Sequence, residues 1–233
     1  MRIVLVRHGK PDYATDSLTE LGKIQAEATA PRLMREGISE IYSSTMGRAL
    51  QTAEPFSKIS GLPINRLEFI REIRWGSNDG TELPKNGHPW LFMPDYISEG
   101  GRIADTEWRE RDAFVKNTRL IEANKRVADG ADEWLRLMGY EREGDYYRVK
   151  APTDKTVVIF CHHGAMTNFI SHLLNIPTPL AMVTICPYFC SVSVIAINGD
   201  EGALVTPKIE LLADSYHVPK DDGDFIQKVK DKE

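Results

Sequence analysis

The sequence is poor in the residues and patterns that define several large protein classes. Cysteine occurs only three times in 233 residues, and a low, odd number is typical of a reducing compartment and excludes a disulfide-stapled fold. Acidic residues outnumber basic ones by 34 to 29, a net charge of −5, which argues against a nucleic-acid-binding surface. Internal repeats, low-complexity tracts and a glycine-rich phosphate loop are also missing. We expect a cytoplasmic globular protein with one domain over 1–233.

Membrane signals are weak as well. The stretch 173–199 contains no charged residue and is long enough to span a bilayer. However, Pro177, Pro179 and Pro187 interrupt it, and polar and apolar residues alternate after them. We interpret this stretch as a loop followed by a strand. At the N-terminus, two charges within eight residues make the apolar run too short for a signal peptide.

Short apolar runs alternate with helical patterns along most of the chain. The predicted strands are 2–6, 40–43, 155–161, 190–197 and 203–211, and the predicted helices follow Thr19 up to Gly37 and cover 46–60 and 165–174. Strands that alternate with helices favour an α/β fold. We predict a three-layer sandwich in which helices flank a mostly parallel central sheet.

The middle of the chain has a different character. Residues 74–104 are rich in glycine, proline, asparagine and tryptophan and show no clear period, whereas 105–138 form one charged, mainly helical stretch. A small hairpin about Gly144 is predicted for 140–150. We interpret 75–150 as a mainly helical insertion over the functional site, and hence as a candidate lid that sets specificity.

Two short motifs place histidines at the carboxyl ends of predicted strands. RHG at 7–9 ends the first strand, and HHG at 162–164 lies where a buried strand passes into a helix. Ligands bind at this edge of an α/β sheet, and helix N-termini there offer free N–H groups to an anion. Arg48, at the start of another helix, adds a planar guanidinium suited to phosphate oxygens. Together these groups predict a phosphate pocket.

A phosphate pocket with histidines suggests a particular chemistry. A neutral imidazole attacks phosphorus and forms a phosphohistidine, while arginines stabilise the charge on the transferring group. A carboxylic acid must then protonate the leaving alkoxide. Glu72 is the best-placed candidate, with Glu68 and Asp79 as rivals. Because the sequence offers no metal-carboxylate cluster, we expect no metal and no cofactor.

Five motifs in order now suggest a family. RHG, LTELGKIQA, IYSSTMGRALQTA, REIRWG and HHG resemble those of the histidine phosphatase superfamily, and more narrowly its phosphoglycerate mutase-like branch with its broad-specificity phosphatases. The resemblance covers nearly the whole chain. It implies that His8 is the phosphorylated nucleophile, that Glu72 is the proton donor, that His163 stands at the family's second histidine position, and that the phosphoryl group is bound by Arg7, Gly9, Arg48 and His163.

Several departures from the family pattern bear on activity. The family's first motif often continues RHG-x-T-x-x-N, whereas 10–14 reads KPDYA and lacks both partners. The mutase branch carries an acidic-Arg-x-Tyr-Gly element and a paired-arginine segment, and this sequence has neither. The implied activity is therefore hydrolysis of a small phosphomonoester. Phosphoglycerate mutase-type transfer and a weakly catalytic phospho-ligand-binding module are the alternatives, and the missing asparagine favours the second.

Other residues have a structural interpretation beside a functional one. We expect His162 to pack beside the site, where the family pattern usually has a small residue. The three cysteines do not make a zinc site, since their single C-x3-C pair lacks a second motif. Trp75, Trp90, Trp108 and Trp134 are assigned to packing, with one of them lining the pocket. An anionic substrate tail has candidate partners in Arg102, Arg109 and Arg111. No interface stripe indicates an oligomeric state.

Overall fold

The structure is a computed structural model that describes residues 1–220. The strands are β1 (Arg2–Arg7), β2 (Pro11–Asp12), β3 (Ser17–Leu18), β4 (Glu40–Ser44), β5 (Ile64–Leu67), β6 (Tyr140–Glu143), β7 (Tyr146–Val149), β8 (Thr156–Cys161), β9 (Val192–Ala196), β10 (Leu204–Val205) and β11 (Lys208–Asp214). The α-helices are α1 (Glu20–Met34), α2 (Gly47–Ser60), α3 (Pro89–Ser98), α4 (Asp112–Val115), α5 (Thr118–Leu137), α6 (His163–Leu173) and α7 (Thr178–Thr184). None of these helices is both long and apolar enough to cross a bilayer.

Six strands form the central sheet, in the order β11-β9-β1-β8-β4-β5. The four strands β1, β8, β4 and β5 run parallel to one another, and β9 runs antiparallel to both of its neighbours, β1 and β11. The predicted mostly parallel sheet is therefore confirmed. In the β1–β8 register Arg7 lies opposite Cys161, so the RHG and HHG motifs leave the sheet side by side.

Alternating side chains of the strands feed two separate cores. Val4 and Val6 of β1 belong to one cluster, which includes Leu33 of α1 and Phe56 of α2. Ile3 and Leu5 belong to the other cluster, built with α5 and α6. Because successive strand residues point to opposite faces, helices cover both faces of the sheet. This arrangement is the predicted three-layer sandwich.

The face predicted for α1 is correct only at Leu33. The helical pattern predicts one apolar face with Leu21, Ile24, Ala28 and Leu33, yet Ile24 is 52% exposed and Leu21 and Ala28 are half-buried. The buried positions are Gly22, Gln25, Ala26, Thr29, Ala30 and Leu33. Small and polar residues form this face because α1 approaches its neighbours closely. A Cβ on Gly22 would meet the backbone oxygen of Lys10 at 2.2 Å. The start and end are correct: Thr19 caps the first turn, and Gly37 follows with φ of 68°.

Two further boundaries differ from prediction. The strand predicted for 203–211 is two strands, because the chain breaks at Thr206 and Pro207 and proline cannot donate to a ladder. Only β11 joins the central sheet, whereas β10 pairs with β7. The strand predicted from Cys190 begins at Val192, since Cys190 takes a left-handed φ of 57°.

The middle segment contains both core and peripheral elements. The helix predicted over 105–138 begins only at Thr118, after short turns and helices, and its buried apolar side chains from Val127 onward pack in the sheet core. The predicted hairpin about Gly144 is confirmed as β6 and β7. By contrast, 74–117 contains only short helices and turns, and its apolar side chains around Trp108 and Phe114 form a separate cluster with Leu120 of α5 and Met182 of α7. A lid function of 75–150 stays a prediction.

Candidate active site

His8 lies at the carboxyl end of β1 and is almost completely buried, with 1% exposure. Its Nδ1 lies 2.7 Å from the carbonyl oxygen of Gly9. A carbonyl only accepts, so Nδ1 carries the proton and Nε2 keeps a free lone pair. Burial, together with the guanidinium groups of Arg7 and Arg48, holds the pKa of His8 well below its ordinary value. The imidazole is therefore neutral and nucleophilic at neutral pH.

The two arginines of the site are held by different contacts. Arg7 donates from Nη1 to the carbonyl oxygen of Pro187 at 2.8 Å, and its guanidinium lies 4.1 Å from the ring centre of Phe189. Arg48 pairs with Asp16, whose carboxylate also accepts the amide of Gly47 at 2.8 Å. Both guanidinium Nε atoms are buried without a hydrogen-bond partner among the described residues. Each arginine therefore keeps a donor for an anion.

Glu72 follows β5 and faces the same edge of the sheet. Its Oε1 accepts the amides of Ile73 at 2.9 Å and Ala165 at 3.1 Å. Burial raises the pKa of Glu72, although these amides and the guanidinium of Arg7 oppose the shift. A carboxyl with a raised pKa is suited to donate a proton.

The rivals of Glu72 have different surroundings. Glu68 is exposed and bonds to Thr45 and Arg71. Asp79 is exposed, and hydrogen bonds from Ser77 and Thr81 lower its pKa to about 2. A carboxylate with so low a pKa holds no proton to donate at neutral pH. Of these three carboxyl groups, Glu72 is the one with the properties of an acid.

His163 is the first residue of α6 and is 8% exposed. Its Nε2 lies 3.4 Å from the carbonyl oxygen of Ile185, and the indole of Trp90 lies 4.5 Å away between ring centres. Burial and Arg7 lower the pKa of His163 to about 3. It is neutral at pH 7 and has a single N–H, which faces the carbonyl of Ile185 because a carbonyl only accepts. Binding of a phosphate by His163 therefore requires that this N–H leave Ile185.

His162 points to the other side of His8. It is fully buried, its ring centre is 5.1 Å from that of His8, and its Nε2 is 2.8 Å from the hydroxyl oxygen of Ser44. Its Nδ1 has no partner among the described residues. The prediction that His162 packs beside the site describes its place but leaves this second nitrogen unexplained.

Gly9 is held tightly between neighbouring segments. Its amide donates to the hydroxyl of Thr52 at 3.0 Å. A Cβ at this position would meet the backbone oxygen of Gly22 at 2.5 Å, so a larger residue does not fit. A role for the Gly9 amide in phosphate binding requires that it leave Thr52.

A cavity of about 450 Å³ opens beside Glu72. Its walls include the aromatic side chains of Tyr13 and Trp75 and several basic residues: Arg48, Arg71, Arg74 and Arg126. The predicted candidates for an anionic tail are not among its lining residues. Arg111 pairs with Asp105, and Arg109 contacts Asn124 and Trp108 instead. One tryptophan, Trp75, does line the pocket as predicted.

The structure thus brings together the predicted side chains at one edge of the sheet. Arg7, Arg48 and His163 are close enough to shift the pKa of His8, and both arginines act on Glu72 as well. Sequence reasoning missed Asp16, Thr52 and Phe189, which position these groups from three other segments. Thr52 lies within the IYSSTMGRALQTA motif, but no motif contains Asp16 or Phe189, and each of the three contacts depends on the folded chain.

Comparison with known proteins identifies the family. The model of the histidine phosphatase superfamily (branch 1) matches residues 3–210, and the chain belongs to this superfamily. Among curated proteins, the probable phosphoglycerate mutase GpmB of Yersinia enterocolitica is 25% identical over 189 residues, which cover 76% of each chain.

Solved structures show the same fold. The mycobacterial glucosyl-3-phosphoglycerate phosphatase matches with a TM-score of 0.62 and 21% identity, covering 92% of this chain and 99% of its own. The phosphoserine phosphatase of Entamoeba histolytica, in complex with 3-phosphoglyceric acid, matches with a TM-score of 0.60 and 18% identity. The match covers 94% of this chain and 99% of that protein's chain. Family and relatives together support a phosphatase or another phosphoryl-transferring enzyme.

Proposed function

We propose that this chain is a phosphatase that hydrolyses a small phosphomonoester through a phosphohistidine and requires no metal ion. The observation that carries the proposal is the state of His8. Its Nδ1 proton is held by the Gly9 carbonyl, its Nε2 lone pair is free, and it is buried beside two guanidinium groups. A neutral nucleophile next to fixed positive charge suits attack on an anionic phosphate.

The proposed reaction has two steps. First, Nε2 of His8 bonds to phosphorus while the ester P–O bond breaks, and the carboxyl of Glu72 gives its proton to the leaving alkoxide. Second, the Glu72 carboxylate takes a proton from water, the water oxygen bonds to phosphorus, and the N–P bond breaks. Arg7 and Arg48 hold the phosphoryl oxygens in both steps, joined by the N–H of His163 once it leaves the carbonyl of Ile185. These groups supply the nucleophile, the proton and the charge stabilisation, so the proposal needs no metal.

The test is hydrolysis of a generic aryl phosphate in the presence of a chelator. We expect activity in the wild-type protein and a loss of at least about 10³-fold in His8→Ala, because the nucleophile is removed. His217→Ala is the matched control, since His217 is a half-buried histidine that contacts Thr29 on α1. Full activity of His8→Ala would overturn the proposal.

Phosphoglycerate mutase-type transfer is the second candidate, favoured by the names of the curated relatives. It requires that the phosphoryl group pass from His8 to a hydroxyl of a second substrate rather than to water. Conversion of one phosphoglycerate isomer into another, dependent on a bisphosphate primer, would identify it. Tight phosphate binding with neither turnover would instead indicate a binding module.

A further inference from the structure

His162 adds a second free imidazole nitrogen beside His8 and Glu72. One ligand atom from each of these three residues lies within 4.8 Å of the ligand atoms of the other two. The family pattern that this chain resembles usually has a small residue at the position of His162. The proposed hydrolysis assigns this buried side chain no role.

On each of the three residues, the hydrogen bonds leave one atom whose lone pair is free to bind a metal ion. His8 uses Nδ1 for the Gly9 carbonyl and keeps the lone pair of Nε2. His162 contacts Ser44 through Nε2, and the serine hydroxyl can accept that proton, which leaves Nδ1 with a lone pair. The amide contacts of Glu72 fall on Oε1, so Oε2 remains for a ligand. Such outer contacts orient metal-binding imidazoles and carboxylates in proteins.

We propose that His8, His162 and Glu72 form a binding site for a divalent transition metal, Zn²⁺ above all, that blocks the nucleophile when it is occupied. Two imidazole nitrogens and one carboxylate oxygen, with a fourth position open, are a donor set that Zn²⁺ takes in proteins. Ligand atoms of a tetrahedral Zn²⁺ with bonds of about 2.0–2.1 Å lie about 3.3 Å apart. From separations of at most 4.8 Å, the ligand atoms reach this spacing when each moves inward by less than about 1 Å.

The two imidazoles of the site suit a metal ion. Burial keeps both unprotonated at neutral pH, so the metal displaces no proton from them, whereas it must displace the proton of the Glu72 carboxyl, whose pKa is raised. The guanidinium groups of Arg7 and Arg48 oppose a cation, and a hydroxide or phosphate oxygen in the fourth position offsets their charge. A metal bound to Nε2 of His8 occupies the lone pair that would attack phosphorus. Its consequence for activity rests on the proposed function, whereas the binding itself does not.

The experiment measures binding without turnover. The full-length protein is titrated with Co²⁺, followed by its visible absorption, and with Zn²⁺ by calorimetry. We expect one equivalent to bind. His162→Ser removes a direct ligand and should lower the affinity at least as much as loss of a supporting contact does, which is about tenfold or more. Cys186→Ser is the matched control, because Cys186 is a free, exposed thiol and thiols are ligands that Zn²⁺ accepts.

The outcomes separate the proposals. Unchanged affinity in His162→Ser, or loss of the bound equivalent in Cys186→Ser, would overturn the metal site. His162→Asn, which keeps a polar side chain, serves if the serine variant does not fold, and the same loss is expected. In aryl phosphate hydrolysis, Zn²⁺ should inhibit the wild-type protein at least about tenfold more strongly than His162→Ser, each compared with its own metal-free rate. Metal binding that depends on His162 in a protein without hydrolysis would contradict only the proposed function.

Discussion

The candidate active site around His8, His162 and His163, called the strand-end site below, and the segment 74–117 are held in place by different kinds of contact. His8 and His162 follow two paired parallel strands, so the backbone ladder of the sheet sets their spacing. The segment 74–117 makes no strand and contains left-handed residues at Lys85 and Asn86. Side-chain contacts hold it instead. Residues held by the backbone hydrogen bonds of a sheet take positions that follow from the order of the strands. The positions of residues held by side-chain contacts depend on all the side chains that surround them.

Asn117 shows how the segment is fastened. It is buried, its side-chain oxygen accepts the amide of Gly76 at 2.8 Å, and its side-chain nitrogen donates to the carbonyl of Gly87 at 2.7 Å. One side chain thus joins two turns of the segment at the start of α5. The comparison predicts large chemical effects from changes at the strand ends and mainly structural effects from changes in this segment.

The largest effect among the further predictions is expected for Glu72→Gln. Loss of the proton donor should lower kcat by about 10²- to 10⁴-fold. The raised pKa of Glu72 means that its acid form persists to higher pH, so wild-type activity should fall as pH rises through that pKa. The kcat–pH profile of Glu72→Gln should lack this limb. Glu68→Gln, on the exposed rival, is the control, and an equal loss there would refute the assignment.

Acid should destabilise the strand-end site. The folded protein holds the pKa values of His8, His162 and His163 below their ordinary value. Between about pH 6.5 and the lowered pKa, the unfolded chain therefore binds more protons. As the pH is lowered through this range, the free energy of unfolding should decrease by about 1.4 kcal/mol per pH unit for each group. The raised pKa of Glu72 acts in the opposite direction as a single group.

Denaturant unfolding at pH 7 and at pH 5.5 measures this slope. His162→Ser should flatten it, because one buried imidazole no longer takes up a proton on unfolding. A slope of zero in the wild-type protein would mean that these imidazoles are not held neutral by the fold.

In the segment, Asn117→Ala should lower the free energy of unfolding by about 1–3 kcal/mol, because the buried carbonyl of Gly87 and the half-buried amide of Gly76 lose their partner. Thermal unfolding checks this value. Asn78→Ala is the control within the same segment, since Asn78 is exposed and its change should stay within about 0.5 kcal/mol. If Asn117→Ala lowered kcat as strongly as Glu72→Gln, the division between the two regions would not hold.

The smallest effect is expected at the cavity rim. Arg74 is exposed and lines the cavity beside Glu72, so it can attract a second anionic group on a substrate. Arg74→Ala should raise KM about two- to fivefold for such a substrate, the range of an exposed ion pair, and leave kcat unchanged. Arg136→Ala, which removes an arginine paired with Glu133 elsewhere on α5, should change neither constant. No dependence of KM on Arg74 would remove this rim from substrate binding.

Sequence reasoning succeeded where local pattern and sheet geometry act together. Apolar runs ending in RHG and HHG placed two strands and their histidines correctly, because parallel strands share one carboxyl edge. It failed for most of the face of α1, whose buried positions other than Leu33 are small or polar and carry little hydropathy signal. It also missed the pair of Arg48 with Asp16, which lie 32 residues apart and meet only after folding.

By itself, the sequence determined the α/β class, the main strands and helices, and the residue types that meet at the sheet edge. These features follow from periodicity and from ordered motifs, which are local properties of the chain. Only the tertiary structure decided the tautomer of His8, the difference between Glu72 and its two rivals, and the free nitrogen of His162. Each of these depends on burial and on hydrogen bonds between distant segments, and no local pattern encodes such contacts.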